Sequence, residues 1–120
     1  VSYSFATSIE AEKSREFIQE LQTTPITFIG EEKVVQVLDF QASRELDLRT
    51  NEAKEIPLPK EGVLQWTTEQ GSKVTLRPSG TEPKMQLYLE VCASSEEYAK
   101  ARISRLKQAF DEMVRQGLQN

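Results

Sequence analysis

The sequence predicts an α+β domain in which helices cover one face of an antiparallel sheet, and three observations predict it. Met85, Leu87, Leu89 and Val91 alternate with Gln86, Tyr88, Glu90 and Cys92, the period-two pattern of a strand with one buried face. Ala99, Ile103, Leu106, Phe110 and Met113 trace one apolar stripe along a C-terminal helix. Short apolar runs between residues 34 and 77 are separated by turn-forming residues, so strands joined by hairpins cluster between two helical segments. With 120 residues and 38% hydrophobic content, residues 1–120 suit one domain with a modest core.

Taken in order, Thr7 followed by Glu10 reads as a capping box, and Ile9, Phe17, Ile18 and Leu21 recur near helical spacing. A first helix is expected from about Ser8 to Gln22, stopped by Thr23, Thr24 and Pro25. Ile26 to Ile29 lead to Gly30 as a short connection or strand, and Val34 to Phe40 reads as a strand buried on much of both faces. The polar stretch Gln41 to Glu61 shows no sustained periodicity and reads as a long surface connection. Val63, Leu64 and Trp66 begin a strand, Glu69-Gln70-Gly71-Ser72 has turn composition, and Lys73 to Arg77 completes a hairpin. Ser94 with Glu97 forms a second capping box for the last helix, which should run to about Gln116 with Gly117 as its cap.

The totals exclude several functions. A formal charge of -4 gives no basic field for a nucleic acid or an anionic membrane, so neither is expected as a partner. One cysteine allows no intrachain disulfide and matches no multi-cysteine zinc site, which favours a reducing, cytoplasmic setting. The absence of histidine removes the commonest general base and the commonest transition-metal ligand. No apolar run approaches the roughly 20 residues that span a bilayer, and no secretory leader pattern opens the chain, so a soluble protein is expected.

Chemistry concentrates between two strands, in Arg77-Pro78-Ser79-Gly80-Thr81-Glu82-Pro83-Lys84. A phosphate monoester is best held by a guanidinium fork, hydroxyl donors and unobstructed backbone N–H groups. Arg77 supplies the fork, Ser79 and Thr81 supply hydroxyls, and Gly80 lets the backbone approach the anion closely. Pro78 and Pro83 fix φ at each end, Lys84 adds a compact positive charge, and Glu82 is expected to point away from the anion. On composition alone the same residues also make an ordinary turn.

The whole string, followed by an alternating strand, resembles the phosphate-binding loop of the α-D-phosphohexomutase superfamily. The order of elements is similar to the C-terminal domain of those enzymes, whose fold is like that of the TATA-box-binding protein without implying DNA binding. The resemblance implies that Arg77, Ser79, Gly80 and Thr81 hold a substrate phosphate, with Lys84 a further ligand. Pro83-Lys84-Met85-Gln86-Leu87-Tyr88 is similar to the phosphoglucomutase/phosphomannomutase branch, and a phosphoglucosamine mutase is the alternative. In the implied parent reaction a phosphoserine exchanges phosphoryl groups with glucose or mannose 1- or 6-phosphate through a hexose bisphosphate. The family's phosphoserine, magnesium and sugar-selecting loops do not occur in this sequence, so the resemblance implies no catalytic residue and no metal or other cofactor bound here. Mg2+ and the bisphosphate belong to the parent enzyme, and the upstream domains of that enzyme and a hexose phosphate are the implied partners. A non-catalytic protein-interaction module and an independent small enzyme are the competing readings.

Other residues carry structural expectations. Trp66 reads as core, Tyr88 as an edge or surface aromatic, and Cys92 as a small buried or half-buried residue. Arg102, Arg105, Lys107 and Arg115 read as the solvated face of the last helix. The pairs Glu31-Glu32 and Glu96-Glu97 read as turn and helix-start features without companion metal ligands.

Overall fold

A computed structural model describes residues 2–10, 20–21, 26–39, 44–55, 63–78 and 84–118. Its strands are β1 (Ser2–Glu10), β2 (Phe28–Ile29), β3 (Glu32–Asp39), β4 (Arg44–Asp47), β5 (Glu52–Glu55), β6 (Leu64–Thr68), β7 (Lys73–Pro78) and β8 (Lys84–Cys92), followed by helix α1 (Glu96–Leu118). Among the described residues the strands form an antiparallel sheet in the order β1-β8-β7-β6-β3-β4-β5, with β2 paired to the start of β3. The expected α+β class is what the chain adopts, with α1 lying against β8, β1 and β2 on one face.

The clean alternation in β8 does what its pattern demands. Met85, Leu87, Leu89 and Val91 are buried, while Gln86, Tyr88, Glu90 and Cys92 are exposed on the opposite face. Val74 and Leu76 of β7 and Leu64 and Trp66 of β6 continue the buried layer, because directly paired residues share a face: Leu64 opposes Leu76, Trp66 opposes Val74, and Val74 opposes Leu89. The stripe of α1 closes over this layer through Ala99, Ile103, Leu106 and Phe110, joined by Val114 and the partly buried Met113. Trp66 is core, as its surroundings predict, with its ring 5.9 Å from that of Phe110 at a tilted angle.

Several expectations are corrected. Residues 8–10 are strand, not the start of a helix, because β1 pairs along the whole of β8 from Ser2 opposite Cys92 to Glu10 opposite Lys84. That ladder of backbone hydrogen bonds outweighs the local Thr7–Glu10 capping signal. Glu20 and Leu21 are helical, and the rest of the expected helix lies outside the described residues. The supposed long connection contains the hairpin β4–β5, whose turn holds Asn51 at φ 59°, a conformation asparagine tolerates better than most residues.

The last helix is capped one residue later than expected: the Ser95 hydroxyl accepts from the Tyr98 amide at 3.2 Å and the Ser95 carbonyl from the Ala99 amide at 3.0 Å. Gly117 lies inside the helix, which continues to Leu118. Cys92 is exposed, because it shares the outward parity of Tyr88 and Glu90, and its Sγ lies 3.3 Å from Ser2 Oγ at the sheet edge.

A further correction concerns Arg102 and Glu32, read from sequence as solvated and turn residues. Both are buried at 8% exposure. Glu32 Oε1 accepts hydrogen bonds from Thr68 Oγ1 at 2.8 Å, Ser72 Oγ at 2.7 Å and Arg102 Nη2 at 3.1 Å. Arg102 also donates to the Cys92 carbonyl at 2.7 Å and to Ser72 Oγ. This network ties α1 to the β6–β7 turn and the start of β3, and every charge in it has a partner. Arg105 stays exposed, 3.6 Å from Glu31, and Lys107 pairs with Asp111 at 2.9 Å.

Candidate functional site

Arg77 stands near the end of β7, directly opposite Gln86 of β8, and Pro78 opposes Met85 one step closer to the connection. Leu76 points into the core beneath α1, so Arg77 emerges on the face of the sheet opposite α1, where it is exposed. Lys84, the first residue of β8, shares parity with Gln86 and so lies toward the same open face, half-buried and in register with Glu10 of β1. The structure therefore brings two of the expected phosphate ligands to the two ends of one strand-to-strand connection. Ser79, Gly80 and Thr81, together with Glu82, lie outside the described residues.

The β6–β7 hairpin leads into the first edge of the site. Gly71 adopts φ +85° in the β6–β7 turn, a region open to glycine, and Thr68 receives the Ser72 contact through its own hydroxyl at 3.1 Å. Four cross-strand pairs then carry β7 forward to Arg77. On the open face, Gln65 donates from Nε2 to Thr75 Oγ1 at 2.9 Å, and Tyr88 Oη donates to Gln86 Oε1 at 2.8 Å. Rows of side chains thus run across the sheet beside Arg77: Ser8, Gln86 and Arg77 in one, Ala6, Tyr88, Thr75 and Gln65 in the next.

A shallow depression of about 140 Å3 opens on this face between Ala6, Thr7, Ser8, Gln86 and Tyr88. Gln86 and Tyr88 are legible from the alternation of β8, which turns them away from the core. Ser8 is not, because the local signal around it favours a helix. A second hollow, of about 120 Å3, lies by Gly30, Tyr98 and Arg102, where the Arg102 guanidinium is already neutralised by Glu32. No group of three acidic or cysteine side chains among the described residues is placed to hold a metal ion. None of the described helices is long and apolar enough to cross a membrane.

Comparison with known proteins gives no match to any family model. Individual proteins do match. The chain is 34% identical over 92 residues to a phosphoglucomutase of Staphylococcus epidermidis, a similarity that takes in 72% of this chain and 16% of that protein. It is 31% identical over 94 residues to the glucose 1,6-bisphosphate synthases of Pongo abelii and Homo sapiens, covering 77% of this chain and 15% of each. The chain thus spans about one sixth of the length of these relatives. The similarity runs over most of this chain and a small portion of each relative: the chain is a domain related to the phosphohexomutases.

Proposed function

We propose that residues 1–120 form one phosphate-binding domain of a phosphoglucomutase-type enzyme, holding the phosphate of a hexose phosphate that is not being transferred. The observation that carries this reading is the placement of Arg77 and Lys84 at adjacent ends of paired strands, facing the open side of the sheet and bracketing Ser79, Gly80 and Thr81. Arg77 binds two phosphate oxygens through its fork, Lys84 adds a point charge, and the loop hydroxyls and amides complete the cradle.

On this reading the domain accelerates the reaction by orientation. A phosphate gripped here fixes the far end of the sugar, so remote binding energy positions the end that reacts. Phosphoryl transfer, the magnesium ion and the bisphosphate intermediate belong to other parts of the parent enzyme, and the chain by itself has no mutase activity. A glucose phosphate is the favoured substrate, since phosphoglucomutase and glucose 1,6-bisphosphate synthase are the names its relatives carry. A phosphomannomutase or phosphoglucosamine mutase would use the same cradle. The lack of disulfide-forming cysteine pairs supports a cytoplasmic setting.

Replacing Arg77 by alanine in the parent enzyme tests the reading. Loss of a charge-assisted contact of about 1.5–3 kcal/mol should lower kcat/KM for hexose phosphate by roughly 10- to 100-fold. Unchanged kcat/KM in a folded Arg77→Ala enzyme would remove the cradle from the mechanism.

A further inference from the structure

The two edges of the sheet are built differently. β5, at one end, is four residues long and carries Glu52, Lys54 and Glu55, the short, charged make-up that keeps an edge from recruiting another strand. β1, at the other end, is nine residues long, and from Ser2 to Ser8 it holds no charge and no proline. Its register with β8 runs unbroken from Ser2 to Glu10, so no bulge bends it away. Among the described residues β1 pairs with β8 alone, and the backbone N–H and C=O groups on its outer side form a template for one more strand.

We infer that this edge pairs with the β1 edge of a second copy of the chain, antiparallel about a twofold axis at Ala6, to give one continuous sheet across two protomers. Opposed residues in an antiparallel pair share a face, so a strand meets its own copy only in registers that oppose residues of like parity. The register that uses all nine residues sets Ala6 opposite Ala6. Ser4 then meets Ser8, a hydroxyl pair, on the face opposite α1. On the other face Phe5 meets Thr7 and Tyr3 meets Ile9, the aromatic and β-branched pairs that stabilise neighbouring strands. Glu10 meets Ser2, so no like charges are opposed.

Phe5 supplies a second observation. It stands opposite Leu89 in the β1–β8 ladder and shares its face, yet it is 36% exposed while Leu89 is 1% exposed. The copy's Thr7 laid beside it covers part of that ring. Any extended segment finds the same backbone groups, but the matched pairs along residues 2–10 favour the copy. The assembly closes at two, because its outermost strands are then the two short, charged β5 edges. Arg77 lies on β7, two strands in from this edge, so the inference stands apart from the proposed function.

Sedimentation velocity on the chain at increasing concentration tests this. A reversible monomer–dimer equilibrium is expected, with a Kd of about 10 μM to 1 mM for so small an interface. Ala6→Lys, at an exposed position, sets like charges opposite each other across the axis and should weaken the dimer by about tenfold or more. Ser4 and Ser8 are exposed too, and they test the register. Ser4→Glu combined with Ser8→Glu should weaken the dimer, whereas Ser4→Lys combined with Ser8→Glu should leave it at least as tight as in the unsubstituted chain. Comparing these two charge pairs, with circular dichroism to show that the sheet persists, keeps the test decisive if Ala6→Lys fails to fold. A chain that stays monomeric at about 1 mM, a dimer that a folded Ala6→Lys chain retains unchanged, or charge pairs at residues 4 and 8 that act alike whatever their sign would each overturn the inference.

Discussion

Arg102 Nη2 lies 3.1 Å from Glu32 Oε1, joining the last helix to the third strand across 70 residues, with the two side chains only 9% and 10% exposed. The same carboxylate oxygen accepts from Thr68 and Ser72, so one atom collects three donors from three elements. A buried charge of this sort is costly once its partner is gone, because nothing solvates it.

Arg102→Met and Glu32→Leu should therefore each destabilise the domain by about 3–5 kcal/mol in urea unfolding. The double variant should cost less than the sum of the two by more than about 1 kcal/mol, since each single change strands the other charge. Additive losses would show that the two groups do not act as a unit.

The turn that delivers Ser72 to this network depends on Gly71 at φ +85°. A Cβ built there meets nothing within 4 Å, so Gly71→Ala should cost only the conformational penalty, about 1–2 kcal/mol. Urea unfolding measures it, and a neutral result would mean that the turn has relaxed to negative φ.

The exposed pair Asp47–Arg49 gives a pH signature. A side-chain hydrogen bond from Arg49, supported by its backbone amide at 2.9 Å, holds the Asp47 carboxyl below its ordinary value of 3.8 and raises the Arg49 guanidinium. With the folded value depressed, the stabilisation is present above pH 3.8 and is lost as pH falls through the lower folded value. Arg49→Ala should bring the Asp47 titration, followed by NMR, back up toward 3.8, though its backbone contact will keep part of the shift.

Ligand binding should have its own pH dependence. The chain contains no histidine, so a change near pH 6 must come from the ligand. A phosphate monoester loses its second proton at about that pH. Affinity for glucose 6-phosphate, measured by calorimetry, should rise from pH 5 to 7.5 along the ligand's own titration, and a flat profile would argue against recognition of the dianion.

How much of this was legible in the sequence follows from where each signal resides. The alternation of Met85 to Cys92 and the stripe of Ala99 to Phe110 record burial directly, so β8, α1 and the core position of Trp66 could be read. Arg77 and Lys84 could be placed because clear strands flank them. The first strand could not, because Thr7 and Glu10 mimic a helix start while the partner that decides the matter, β8, lies about 80 residues away. Much the same holds for Arg102: its neighbours in sequence are those of a solvated helix face, and only the fold brings Glu32 and Ser72 to it. The hairpin β4–β5 left little trace because all four residues of β5 are exposed and carry no apolar alternation.

Whether Arg77 to Lys84 grips a phosphate is read from the backbone amides of Ser79, Gly80 and Thr81 while glucose 6-phosphate is added to the chain and to its Arg77→Ala variant. Those amides should show saturable shifts in the parent sequence and none in the variant, with the sheet intact in both. Shifts absent from the parent sequence at millimolar ligand, or retained without Arg77, would contradict the phosphate grip.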